Sequence, residues 1–179
     1  MKRILVIKLS SLGDIAHALP AVRALKERTG AAIDWAVQPE YAGLLACCPD
    51  VDRTIAFPRR NVVRGMGPFL RELRRERYDA VVDLQGLLKS AVVARLARGC
   101  RRVGPAWARE GAHRLYDAQP MRKPGPRGHA VEELMEVVAL VAPGGAVMPE
   151  PRLRVPEAAA DGHSGPQVAF APFSRWATK

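Results

Sequence analysis

Arg3-Ile4-Leu5-Val6-Ile7-Lys8-Leu9-Ser10-Ser11-Leu12-Gly13-Asp14 sets an apolar run directly against a short polar turn. The run is strand-length and rich in branched side chains, so Ile4–Leu9 reads as a buried β-strand. Beyond the turn, Ile15, Ala18, Leu19, Val22 and Leu25 fall at helical spacing. Strand, tight turn and helix in that order form the opening of a parallel α/β unit.

The same alternation continues along the chain. Ile33–Val37, Thr54–Phe57, Ala80–Leu84 and Arg102–Gly104 read as further short strands. Helical patterns separate them at Phe69, Leu70 and Leu73, over Leu87–Leu96, and most strongly over Ala130–Val141. This order predicts a doubly wound, Rossmann-like parallel sheet covered on both faces. Ligands of such sheets bind beyond the carboxyl ends of the strands. That rule singles out the residues that follow Leu9, Phe57 and Leu84.

After Leu9 comes Ser10-Ser11-Leu12-Gly13-Asp14. Small residues in a strand-to-helix turn let backbone N–H groups approach an anion, and the helix N-terminus favours negative charge. Asp14 has two readings here, as a first-turn capping carboxylate or as a group facing the strand ends. Local sequence alone favours the cap. Pro20 interrupts the helical pattern. It predicts either a kink or a separate turn over residues 14–19, both placing Asp14 on an irregular segment. His17 is a candidate for the same cleft, with a structural histidine as the alternative. Gln85 and Lys89, after the fourth strand, are candidates with an equal structural reading. The turn holds one glycine and no Gly-Lys-Ser/Thr ending, which argues against a dinucleotide fingerprint and a phosphate-binding P-loop.

The 179 residues are 48% hydrophobic, enough for one sizeable core. No apolar run reaches 18 residues, so no membrane-spanning helix is expected, and the start does not resemble a signal peptide. Cys47, Cys48 and Cys100 show no metal-ligand spacing, and a reduced cytoplasmic protein with inert thiols is the expectation. The net charge of +10 is concentrated rather than spread. Residues 59–77 carry seven arginines against two glutamates, and residues 98–128 carry eight basic against two acidic residues. Such patches favour polyanions. Few aromatics lie among them, so stacking on nucleic-acid bases is not supported. Arg71, Arg74, Arg75 and Arg77 read as solvated helix surface.

Turn and linker signals between residues 142 and 166 suggest a boundary. The reading is a domain over residues 1–142, a linker over 143–166, and the first strand and loop of a second domain over 167–179.

Residues 3–22 together resemble the opening of glycosyltransferase family 9, the heptosyltransferases, and are most similar to its lipopolysaccharide heptosyltransferase I type. Tyr78-Asp-Ala-Val-Val-Asp-Leu-Gln-Gly-Leu-Leu-Lys-Ser90, Ala108-Arg-Glu110 and His129-Ala-Val-Glu132 continue the resemblance. Ser174-Arg-Trp-Ala-Thr-Lys179 is similar to the segment opening that family's second domain. The resemblance implies the amino-terminal domain of a two-domain GT-B glycosyltransferase, with the start of a truncated second domain. It implies inverting transfer of heptose from ADP-heptose to Kdo₂-lipid A, at the inner face of the cytoplasmic membrane. The implied base is Asp14. Ser10, Ser11, Gly13, Arg59, Arg60, Arg64 and Arg109 are implied on the acceptor side, and Ser174, Thr178 and Lys179 on the donor phosphates. No cofactor and no metal are expected, and no nucleic-acid partner. The chain alone is expected to bind acceptor weakly without completing transfer. A heptosyltransferase II-like enzyme and a non-catalytic anion-binding module are the competing readings.

Overall fold

The computed structural model describes residues 1–59, 62–125, 128–145 and 148–154. Five parallel strands form one sheet: β1 (Arg3–Ile7), β2 (Ala32–Val37), β3 (Arg53–Ala56), β4 (Tyr78–Asp83) and β5 (Gly99–Val103). Their spatial order is β3-β2-β1-β4-β5. The helices are α1 (Leu12–Thr29), α2 (Ala42–Ala46), α3 (Val62–Leu73), α4 (Leu88–Leu96) and α5 (Ala130–Ala139). Short 3₁₀ turns lie at Pro39–Tyr41 and Ala112–Leu115.

The period-two alternation of β1 divides the core into two layers. Ile4 and Val6 pack with Ile15, Val22 and Leu25 of α1 and Leu134 and Val137 of α5. Leu5 and Ile7 face the opposite way, toward Phe69 and Leu73 of α3 and Val93 and Ala94 of α4. Both faces are therefore covered, as an all-parallel sheet requires. The five strands expected up to residue 104 form, with ends shifted by up to three residues; β5 begins at Gly99 rather than Arg102.

Of the two expectations at Pro20, the separate turn over residues 14–19 does not form: one helix runs through the proline from Leu12 to Thr29, and Asp14 sits in its first turn. An interior proline costs about 3 kcal/mol. Ile15, Leu19, Val22 and Leu25 are buried along the same helix, and each such side chain contributes about 1.5–3 kcal/mol. The buried stripe outweighs the missing hydrogen bond.

At the amino ends of the strands, Asp34 is fully buried. It accepts from Arg3 at 2.8 Å, from the Arg53 guanidinium at 2.5 and 3.0 Å, and from the Tyr78 hydroxyl at 2.9 Å. Burial, and then the neighbouring carboxylate, push the Tyr78 hydroxyl well above its ordinary pKa, so it remains a donor. This carboxylate ties four strands together. Replacing Asp34 with Ala leaves two guanidinium groups and a hydroxyl without their acceptor, and is expected to cost about 3–5 kcal/mol in urea denaturation. Glu72→Ala, at the exposed end of the same network, is expected to cost less than about 1 kcal/mol. Equal losses in the two variants would contradict this division.

Candidate functional site

The sheet order places β1 between β2 and β4. The chain leaves β1 toward α1 on one face and leaves β4 toward α4 on the other. Their carboxyl ends therefore diverge around a crevice, the usual ligand position in an open α/β sheet. A cleft of about 210 Å³ lies there, lined by Lys8, Asp14, His17, Gln85, Trp107, Arg109 and neighbouring apolar residues.

Asp14 occupies the first turn of α1, where the helix dipole favours a carboxylate. It accepts from the Ser11 backbone N–H at 2.9 Å and from the Ser11 hydroxyl at 2.8 Å. Asp14 is thus a first-turn carboxylate bonded to Ser11 that also lines the cleft. Partial burial pushes its carboxyl up. The Ser11 hydrogen bonds, and then the Lys8 and His17 charges, outweigh that and hold it below the usual carboxylate range. Gly13 has no neighbour within 4 Å of where a Cβ would stand, so the space beside Asp14 stays open.

The remaining walls come from distant sequence. Lys8 is 95% buried at the end of β1, its Nζ donating to the Leu84 carbonyl at 2.9 Å. The buried Trp35 indole donates to the Lys8 carbonyl at 3.1 Å. Gln85 Oε1 accepts from the amides of Leu9 and Ser10, at 3.1 and 3.3 Å. The amides of Leu9, Ser10 and Ser11 are therefore satisfied by Gln85 and Asp14, and the turn does not present them as an anion cradle. Arg109 is exposed and lines the cleft. Its backbone N–H donates to the Gly86 carbonyl at 2.9 Å. Glu110 adopts a left-handed conformation, φ 58°, and its carboxylate accepts from the Leu88 amide at 3.1 Å, at the start of α4. That contact compensates the strained backbone, which costs about 1–3 kcal/mol at such positions. His17 lines the cleft with its ring 6.2 Å from that of His129.

Other sequence candidates stand elsewhere. Arg59 lines a separate groove of about 580 Å³ with Glu40, Pro58 and Phe69, and pairs with Glu40 at 3.6 Å. Arg64 is exposed on α3. Lys89 lies over the Phe57 ring at 5.6 Å. Arg60, Ser174, Thr178 and Lys179 lie outside the described residues, as does the expected strand near residue 168. Arg71, Arg74, Arg75 and Arg77 are exposed. The three cysteines form no disulfide. Among the described residues no helix is long and apolar enough to cross a membrane, and no cluster of three or more metal-ligating side chains occurs.

The family model for glycosyltransferase family 9 (heptosyltransferase) matches residues 66–179. The chain belongs to this family. It is similar to lipopolysaccharide heptosyltransferase 1 of Salmonella typhimurium, 35% identical over 150 residues, covering 76% of this chain and 47% of that protein. The Escherichia coli K12 protein of the same name is 34% identical over 150 residues, with 76% and 46% coverage. This family 9 chain thus spans about half the length of the curated relatives it matches. Its fold follows the structure of E. coli heptosyltransferase WaaC with ADP-2-deoxy-2-fluoro heptose at a TM-score of 0.72 and 31% identity, covering 83% of this chain and 51% of that one. It follows E. coli ADP-heptose lps heptosyltransferase II at 0.71 and 25% identity, covering 88% and 48%.

Ser11→Ala removes a donor to the ionised form of Asp14, so the Asp14 pKa is expected to rise toward its ordinary value. Because the folded-state pKa is depressed, the stability Asp14 contributes is present at neutral pH and lost as pH falls through that pKa. The variant should shrink this acid-side dependence and, as one lost charge-assisted hydrogen bond on an exposed pair, cost about 1 kcal/mol. Carboxyl-carbon NMR titration reads the shift, and an unmoved Asp14 pKa would remove Ser11 as its cause.

Proposed function

We propose that this chain is the acceptor-side half of an inverting heptosyltransferase of lipopolysaccharide inner-core synthesis. The carrying observation is that one cleft at the sheet's switch point holds Asp14, Lys8 and Arg109 together. Heptosyltransferase 1 relatives at 33–35% identity over 76% of the chain support the reaction class. In this reading the protein has a GT-B architecture, and ADP-heptose is bound mainly by a second domain. Ser174, Thr178 and Lys179 would contact the donor phosphates.

In the proposed step Asp14 accepts the proton of an acceptor hydroxyl. The hydroxyl oxygen attacks the anomeric carbon from the face opposite ADP. The bond to the diphosphate breaks with inversion, and ADP leaves carrying the electron pair. A general base works best with a pKa near the operating pH, and Asp14 lies well below that. Positioning of the hydroxyl therefore carries much of the rate. Ser10 and Ser11 hold the Asp14 loop, and Gly13 leaves the acceptor room. Arg109 meets the carboxylates and phosphates of Kdo₂-lipid A with charge-assisted hydrogen bonds. Arg59 and Arg64, exposed away from the cleft, would with Arg60 offer further cations to the anionic inner face of the cytoplasmic membrane, where the enzyme would dock peripherally. The curated relatives at 33–35% identity over 76% of the chain are heptosyltransferase 1 proteins, which favours the first-heptose acceptor.

Within the full-length enzyme, Asp14→Asn is expected to lower kcat for transfer from ADP-heptose by ~10²–10⁴-fold with acceptor affinity retained. Arg109→Ala is expected to raise the acceptor Kd by ~10–100-fold, and Arg109→Lys should recover only part of it. Turnover by Asp14→Asn within about twofold of wild type, far short of the loss a general base supplies, would refute the base assignment. The 179-residue chain by itself is expected to bind acceptor and show no transfer.

A further inference from the structure

Asp83-Leu84-Gln85-Gly86 closes β4, and Asp83 is fully buried there. A buried carboxylate is tolerated only when its lone pairs meet donors. Asp83 Oδ1 accepts from the Gln85 amide at 2.7 Å and the Gly86 amide at 3.2 Å. Its other oxygen accepts from the Tyr116 hydroxyl at 2.6 Å. Burial raises the Asp83 carboxyl, against the pull of these donors.

The residues held by Asp83 hold both walls of the cleft. Gln85 Oε1 fixes the Leu9 and Ser10 amides, immediately before Ser11 and Asp14. The Gly86 carbonyl fixes the Arg109 amide. Gly86 has φ +72°, and a Cβ there would stand 2.7 Å from both Pro105 and Trp107. The β4–α4 turn is therefore clamped between Asp83 below and the 105–109 segment above. Tyr116 reaches Asp83 from the segment that follows β5. It passes over Gly104, where a Cβ would lie 2.2 Å from the Tyr116 ring. Any side chain at residue 104 would collide with the ring in this position.

We infer that Tyr116, acting through Asp83, is a positioning residue that sets the spacing between the Asp14 loop and Arg109. Neither Tyr116 nor Asp83 is among the residues lining the cleft. They act on it through Gln85 and Gly86, and through Ser90, whose hydroxyl meets the Leu87 amide and carbonyl. The kinetic consequence rests on the heptosyltransferase reading, whereas the structural consequence does not.

Tyr116→Phe keeps the ring over Gly104 and deletes only the hydroxyl. Amide exchange by NMR on the 179-residue chain is expected to show Leu9, Ser10 and Arg109 exchanging ~10-fold faster, the scale of one lost hydrogen bond. Ile33 and Val137 should keep their rates. Unchanged rates at the three amides overturn the inference, and so does equal acceleration at all five. In the full-length enzyme the same variant should raise the acceptor KM and lower kcat while leaving the KM for ADP-heptose unchanged. An equal rise in both KM values would mean general damage and also overturn it. If wild-type enzyme transfers no heptose, the functional reading fails, and the exchange pattern still decides the role of Tyr116.

Discussion

The open end of this molecule depends on the parallel pairing of β1 with β4, Ile4–Ile7 against Ala80–Asp83. That register brings residues nearly eighty positions apart into contact before any side chain acts. It aligns the end of β1 with the end of β4, so that Lys8 reaches the Leu84 carbonyl and Gln85 reaches the Leu9 and Ser10 amides. The Leu84 amide continues the ladder to the Ile7 carbonyl at 2.9 Å. A register slip of one residue would turn Leu5 and Ile7 into the opposite layer. Close packing in both layers opposes it, because each layer would have to accept side chains of different shape. The core thus fixes the cleft, since the two loops begin where the strands stop.

At the cleft, charge and geometry pull in different directions. Ser11 and the helix end make Asp14 a better-held anion and a weaker base. The same contacts fix its orientation, which matters for the proposed role of meeting one acceptor hydroxyl. A freely rotating carboxylate with an ordinary pKa would gain basicity by a small factor. It would lose the alignment from which effective molarities arise. Lys8 adds to this balance. It is held by the Leu84 carbonyl beneath the cleft, so its charge favours an ionised Asp14 and an anionic ligand together.

Much of this was legible in the sequence. The apolar runs located all five strands, because a strand buried on both faces needs little context to be recognised. The switch-point rule directed attention to Asp14 and Gln85, and the family resemblance to Arg109. Lys8, Trp35, Asp83, Glu110 and Tyr116 were not legible as site-forming residues, because their partners are distant in sequence: Trp35 bonds Lys8 and Tyr116 bonds Asp83. A buried lysine at a strand end and a lone acid closing an apolar run were the available signals. At Pro20 the separate turn over residues 14–19 misled for the converse reason: the local cost is real, and tertiary burial of the same helix overrides it.

The arginine patches show where counting charges stops being informative. Arg102 lies in the second patch, yet its guanidinium donates to the Ala94 and Ala97 carbonyls and closes the carboxyl end of α4. Arg53, outside both patches, neutralises buried Asp34. Arg59 is compensated by Glu40. Arg71, Arg74 and Arg75 stand along and just after the last turn of α3, where cations complement the helix dipole. Arg109 differs from these in position rather than charge. Its backbone is anchored to Gly86, and its side chain lies on the wall of the cleft that contains Asp14. A net charge concentrated in two segments therefore does not mean two binding sites. The fold assigns most of those arginines to its own helices and surface, and directs one described member of the patches at the crevice.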